Sequence, residues 1–413
     1  MLSDGAVLML TDLLGVEPSV LSAMRVQTDG NLGNPITVTS LSTGGDIGRA
    51  PFYQTSITAA SDDGAFVAWR EYIPNGHNSG EIERLMIRRY RGQGGLQTPV
   101  QIRAQPTGSV DNYALAATPG NGAVVAWVES LPYDPVRDGQ LSPTSLFVAT
   151  YSDADGWSTA IRLDDIGIHD VAVGASTEGH IVVMWSQARD IAVGDVLMAA
   201  HRDPSGQWGS PAVVYQTNGT GPVDTFALSV AVDGLGNAMA VWEYKSWDEQ
   251  VHRSGFNRLD ASSGWSGDRI ISDSAVNPTV VVNARGEGLI AWGDDGNVHA
   301  MDFDRTGFGT ATVLSTGAAE QPQATISEDG RGAVAWNQDI YQVGREAHVA
   351  VRGARFTSGV GWSSSSTLSS VTEVAVLSRL TNSRDGRAAA IWNQDDISSG
   401  QSSFWLMPFA LAE

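Results

Sequence analysis

The chain is 413 residues long, carries a formal net charge of −21 and contains no cysteine. The charge disfavours nucleic acid and anionic membrane as partners, because an acidic surface repels phosphate. The absence of cysteine excludes disulfide staples and thiolate metal sites, while 42% apolar residues leave material for a core.

No apolar run approaches the roughly 20 residues needed to span a bilayer. The opening stretch, MLSDGAVLMLTDLLGV, has no Lys or Arg, and Asp4 and Asp12 bracket its apolar run. It does not read as a signal peptide. The expected location is extracellular or cell-envelope, with a leader already removed; the cytoplasm is the alternative.

From this stretch onward one phrase occurs eight times. A small or acidic turn is followed by four or five apolar residues and, in seven copies, by Trp. The copies end at Leu10, Trp69, Trp127, Trp185, Trp242, Trp292, Trp336 and Trp392, with spacings of 59, 58, 58, 57, 50, 44 and 56. A period of this size marks stacked supersecondary units that cannot bury their faces alone.

Each unit reads as four short strands, A to D from the inside out. In the third copy these are DNYALAATP (111–119), GAVVAWV (122–128), SLFVATY (145–151) and TAIRL (159–163). Asp-Gly, Asn-Gly and Pro-Gly turns separate them, and no segment sustains a 3.6-residue period. Four-stranded antiparallel units repeated this way predict an all-β fold, one closed β-propeller over residues 1–413. Strand A appears seven times and strand D seven times, starting with PITVT (35–39). Seven blades are therefore expected in preference to eight. In that arrangement 35–39 is the outer strand of the blade containing Trp392, and residues 1–27 are a surplus or partial blade. Eight blades, the first and last three-stranded, is the alternative.

The C–D turns carry a second motif: SDADGW (152–157), RDPSGQW (202–208), LDASSGW (259–265), FDRTGF (303–308) and FTSGVGW (356–362). This resembles the Asp-box of bacterial sialidase-like propellers, in which an Asp, a Gly and an aromatic cap that turn. The resemblance implies the architecture, with a structural Asp-box on the face opposite the active centre. It does not extend to the sialidase catalytic set: the arginine triad, the Tyr nucleophile with its Glu and the acid Asp have no counterparts here.

The strand-B tryptophans recur at one position and are expected to pack between blades, since an indole buries a large area and its N–H needs one partner. The turn aromatics Trp157, Trp208, Trp265, Trp362 and Phe308 read either as plugs between blades or as stacking platforms for sugars. The B–C loops are long and varied, and function concentrates on such loops. Polar or acidic groups follow each Trp, and aromatics interleave with them. A ligand site on the B–C loop face is accordingly expected at Glu71, Glu129, Tyr133, Glu243, Tyr244, Trp247, Asp294, Asp339 and Asp395. The same carboxylates also read as solvated ends of strand B. Trp247 lies off the repeat pattern, so packing demands it less.

The seven histidines show no metal-ligand spacing. His169, beside Asp170 in a D–A loop, is the one placed for proton transfer of the kind a polysaccharide lyase requires. No cofactor is expected; Asp153-Ala-Asp155-Gly156 hints at Ca²⁺ but is too short for a full oxygen cage. Two functions follow. The preferred one is a non-catalytic binding or scaffold propeller recognising a glycan or protein. The alternative is a carbohydrate-active hydrolase or lyase using loop carboxylates or a His/Tyr pair.

Overall fold

The structure, a computed structural model, describes residues 1–2, 6–13, 19–27, 31, 33–41, 52–61, 63–73, 82–92, 95–104, 108–130, 143–165, 167–190, 194–216, 223–246, 251–341, 347–371, 373–382, 386–396 and 401–411. The fold is a β-propeller of eight successive antiparallel sheets. The first is three-stranded, Val7–Leu13, Ser19–Val26 and Ile36–Leu41. The second runs Phe52–Ala59, Ala65–Ile73, Ile82–Tyr90 and Val100–Ile102. The third runs Ser109–Thr118, Gly122–Ser130 and Thr144–Ser152, with Gly156–Trp157 and Ile161–Asp165 both paired to the last of these. The fourth is Ile168–Ala175, Ile181–Asp190, Gly194–Arg202 and Ala212–Gln216.

The fifth sheet is Val223–Val232, Ala238–Ser246 and Val251–Asp260, edged by Gly264–Trp265 and Arg269–Ser272. The sixth is Val276–Val282, Gly288–Asp294, Asn297–Phe303 and Thr312–Val313. The seventh is Ala319–Ile326, Arg331–Tyr341 and Ala347–Thr357, edged by Gly361–Trp362 and Ser366–Thr367. The eighth is three-stranded, Val374–Asn382, Arg387–Asp396 and Gln401–Ala410.

This corrects the expected seven blades to eight. Ile36–Leu41 pairs with its sequence neighbour, Ser19 opposite Leu41 and Ala23 opposite Ile36, and does not complete the sheet of Trp392. A strand returning through a short loop closes its hairpin at little entropic cost, whereas pairing with residues beyond 390 requires closing almost the whole chain. Residues 1–27 are no surplus, because they supply the first two strands of the first sheet.

The chain packs as two compact units, one comprising Met1–Ala175 with Val183–Ile191, the other Ser176–Val182 with Ala192–Glu413. In both, the apolar clusters among the described residues are shared by consecutive sheets. In the first unit, Leu8, Leu21 and Val38 of the first sheet pack with Val67 and Trp69 of the second. Phe66, Leu85 and Ile87 of the second pack with Val125, Trp127 and Phe147 of the third. In the second unit the pattern continues through Val241 with Ile290 and Trp292, Ala291 with Val334 and Trp336, and Val351 with Leu377 and Trp392. A single sheet has one apolar face too many, and stacking covers it.

The C–D turns are closed by side chains. The Asp260 carboxylate accepts the amides of Ser262 (2.9 Å) and Ser263 (3.0 Å), and Asp304 those of Thr306 (2.7 Å) and Gly307 (2.9 Å). The Ser262 hydroxyl and these amides hold the Asp260 carboxyl down at about 2. The turn aromatic then pairs back on the third strand, as Trp157 does with Tyr151 and Trp265 with Leu259. Among the described residues no helix is long and apolar enough to cross a membrane.

Candidate functional site

Side chains alternate across a strand, so a residue two places after each Trp shares its face. That parity explains four of the carboxylates and amides that follow the repeat. The Trp69 indole N–H donates to Glu71 (3.1 Å), Trp127 to Glu129 (3.0 Å), Trp336 to Gln338 (3.3 Å) and Trp392 to Gln394 (3.0 Å). All four acceptors are buried. Trp185 instead donates to Asp164 of the preceding sheet (3.1 Å). Glu129 also accepts the Ala104 amide (2.9 Å), and the backbone wraps it so closely that a Cβ on Gly108 would lie 2.1 Å from its Oε1. Burial pushes the Glu71 carboxyl upward, with the indole bond and Arg84 pulling the other way.

The remaining expected site residues are dispersed in environment. Glu243 is buried and accepts the Asn277 amide (2.9 Å), with His252 Nδ1 at 3.3 Å. Tyr244 is also buried; its hydroxyl accepts from Arg253 (3.2 Å), and its ring lies 5.5 Å from that of Tyr215. Asp294 is half-buried and accepts the Ser274 hydroxyl. Asp339 is half-buried and Asp395 exposed. Tyr133 and Trp247 lie outside the described residues. The structure therefore places Glu71, Glu129 and Glu243 inside the fold's own hydrogen-bond framework.

A different cluster gathers in the first unit, at the end of the sheets that carries the B–C and D–A loops. Its origin is a recurrent irregularity of the inner strand. Close to the strand-B Trp, that strand carries an extra residue: the register slips between Tyr53 and Ser56, and between Val110 and Asn112. The same slip occurs in the fifth, sixth and seventh sheets, where Ala227, Asn277 and Gln321, like Gln54, take φ near +50° (51°, 50°, 52° and 49°). A bulge re-aims the side chains on either side of it.

In the second to fourth sheets the re-aimed groups form a chain. Arg70 donates to Gln54 (2.8 Å) and pairs with Glu83, Gln54 donates to Asn112, and Asn112 donates to Asp170 (2.6 Å). Asp170 also accepts the Val171 amide (2.8 Å), while its own amide donates to Ser186 (3.1 Å). The extra residue of the third sheet is Asp111, which accepts the Ser130 hydroxyl. Burial pushes the Asp111 carboxyl upward, and the charges of Glu83 and Glu129 add to that; the Ser130 bond and Arg70 oppose it. His169 is exposed one residue before Asp170. A half-buried carboxyl held toward its protonated form can donate a proton, and the amides beside it offer paired donors and acceptors. None of Gln54, Arg70, Glu83, Asp111 or Asn112 stands out in the sequence. The bulge that assembles them uses no glycine, so its usual signal is missing.

Among the described residues no three His, Asp or Glu side chains converge as metal ligands. In the Asp153-Ala-Asp155-Gly156 turn, Asp153 binds Arg91 (2.6 Å) and Asp155 accepts the Ser152 hydroxyl (3.0 Å).

No protein-family model matches the chain, and no curated protein matches it. Similar solved structures include a protein of unknown function from Dyadobacter fermentans, at 11% identity over 74% of this chain and 95% of that one, with a TM-score of 0.48. An ulvan lyase is similar at 10% identity over 83% and 89%, with a TM-score of 0.48. A Hadza microbial sialidase is similar at 12% identity over 94% and 73%, with a TM-score of 0.41. At these values the likenesses transfer no residue role to this chain.

Proposed function

We propose that the protein is a binding propeller that recognises a glycan, without turnover, on the face bearing the B–C and D–A loops. The observation that carries this reading is the side-chain chain Arg70–Gln54–Asn112–Asp170, in which Gln54, Asn112 and Asp170 come from the inner strands of three successive sheets of one unit. Its groups are already oriented, so binding orders few new rotamers. Alternating amide donors and acceptors suit the vicinal hydroxyls of a sugar, each of which both gives and takes a hydrogen bond. Tyr133 is offered as a stacking group for the first unit; Trp247 as a stacking group, with Asp294, Asp339 and Asp395 as polar partners, is offered separately for the second.

The test is a glycan array probed with the full chain, followed by titration of the captured glycan. Asn112→Ala is expected to weaken a glycan held by the first unit, and Trp247→Ala one held by the second, each by about 1–3 kcal/mol with an unchanged thermal midpoint. Capture of a protein and no glycan would move the reading to a protein ligand. A second reading, a carbohydrate-active enzyme, is favoured by Asp111, a proton-donor candidate beside Glu83. Two carboxyl groups flanking a glycosidic bond are the minimum equipment for its hydrolysis. Polysaccharide cleavage that disappears in Asp111→Asn would establish the enzyme and remove the binding-only reading.

A further inference from the structure

The five turn aromatics do not share one role. Three are packed onto rings of the core. Trp157 meets Phe66 (6.1 Å) and Tyr151 (5.4 Å), Phe308 meets Phe256 (5.0 Å) and Phe303 (6.1 Å), and Trp362 meets Phe356 (5.0 Å). Trp208 and Trp265, half-buried like the other three, meet no aromatic ring among the described residues. These two indoles border one cavity of about 480 Å³, between the third strand of the fourth sheet and the C–D turn of the fifth. A void of that size falls in the range that takes small ligands.

Smaller cavities of about 300 and 360 Å³ lie at corresponding places between the fifth and sixth sheets and between the seventh and eighth. The first is walled by Phe308, over which Arg269 sits at 6.0 Å, and the second by Met407. The cavity between Trp208 and Trp265 thus differs from its counterparts in presenting two indoles that no other ring covers.

Its polar lining is equally specific. Asp203 uses Oδ1 to accept the Ser205 hydroxyl (2.6 Å) and the Gln207 amide (3.0 Å), and its Oδ2 has no partner among the described residues. Gln207 and Ser210 stand at the rim, both exposed. His201 lines the wall and is oriented from behind: His180 Nδ1 lies 3.1 Å from its Nε2, with the rings stacked at 5.3 Å. His180 is in turn pressed on Gly236, where φ is +84° and a Cβ would come within 2.6 Å of Nδ1. Burial and the neighbouring imidazole hold His201 below the ordinary histidine range, so the wall it forms is uncharged at neutral pH.

We propose that this cavity is a saccharide site that holds one pyranose ring, at the end of these two sheets opposite their B–C loops. The C–H face of the sugar lies on an indole, and Asp203 Oδ2 accepts a hydroxyl. Gln207 supplies a second polar contact. Flat apolar rings combined with an acceptor that retains a lone pair match a molecule having one apolar face and a hydroxyl edge. Two indoles and a carboxylate can also cage a quaternary ammonium, but such a cage has no use for the hydrogen-bonding rim.

The full chain is titrated calorimetrically with the methyl pyranosides of glucose, galactose and mannose, and with choline, while indole fluorescence is followed. At least one pyranoside is expected to bind and to shift the emission. Trp208→Ala and Asp203→Asn should each weaken it roughly tenfold or more. Ala261→Arg, which fills the cavity from an exposed turn position, should abolish it at an unchanged thermal midpoint. Binding of choline and no pyranoside overturns the proposal, as does binding of none of the four. Pyranoside affinity that falls with Asn112→Ala but not with Trp208→Ala also overturns it, and leaves the loop-face reading standing.

Discussion

The third and fifth sheets carry the same apolar phrase and wire it in opposite ways. In the third, Glu129 stands two residues after Trp127, on the indole's own face, and accepts both the indole N–H and the Ala104 amide of the preceding sheet's end. In the fifth, that place holds Tyr244, and the Trp242 indole N–H is buried without an acceptor among the described residues. The ring there lies against Gly255, whose Cβ would sit 2.7 Å from it, and 5.2 Å from the Tyr215 ring. The carboxylate has moved one residue back, to Glu243, and so to the other face of the strand. From there it accepts the Asn277 amide of the next sheet's bulged inner strand. A one-residue shift changes which neighbour the sheet is tied to. The repeat therefore conserves a shape, a large ring in a fixed slot, while the polar ties between sheets vary from one copy to the next.

The comparison rests on both rings being core, and the largest expected effect tests that. Trp127 is fully buried, among Val125, Phe147 and the second sheet's Leu85 and Ile87. Trp127→Ala should cost about 3–5 kcal/mol in urea denaturation, as other large-to-small aromatic changes do. An unchanged midpoint would mean that the slot does not hold the sheets together, and the comparison would lose its premise.

The shape was legible in the sequence because it depends on periodic apolar volume. Eight phrases at intervals of 44 to 59 residues announce eight second strands, and the Gly- and Asp-rich turns mark the hairpins. The blade count is not legible at the ends: seven inner and seven outer strands suggest closure across the whole chain, whereas the local hairpin of Ser19–Val26 with Ile36–Leu41 forms instead. The strand-B carboxylates were visible as a pattern, but their role depends on parity: Glu71 and Glu129, two residues after Trp, share its face, and Glu243, one residue after, does not. The Asp111 cluster was not legible. It is made by inner-strand bulges in the second and third sheets, at ordinary residues such as Gln54, whose positive φ the local sequence does not request.

The tie through Glu129 can be broken without touching the ring. Glu129→Leu keeps much of the volume but leaves two buried donors, the Trp127 indole and the Ala104 amide, with no acceptor. A loss of about 2–3 kcal/mol is expected. Glu129→Gln retains a carbonyl oxygen at the same place and should cost less than half as much. Equal losses for the two variants would show that the side chain acts through its charge or its packing, and the contrast with the fifth sheet would have to be restated in those terms.

The sharpest and smallest test exchanges the indole for a phenyl ring in both sheets. Trp127→Phe and Trp242→Phe remove similar volume from similarly buried slots, so the packing losses largely cancel between them. What does not cancel is the N–H. In the third sheet its removal takes a donor from a buried carboxylate. In the fifth it removes a donor that has no acceptor among the described residues, and with it the desolvation penalty of burying that group. Trp127→Phe should therefore be the more destabilising of the two by about 1–2 kcal/mol, read as the difference in unfolding free energy in urea. A difference near zero would mean that the Trp242 N–H is satisfied in solution, by water or by a loop residue, and that the two sheets are wired alike after all. The reverse order would place more of the interaction energy in the Trp242–Tyr215–Tyr244 ring cluster than in any hydrogen bond of the third sheet.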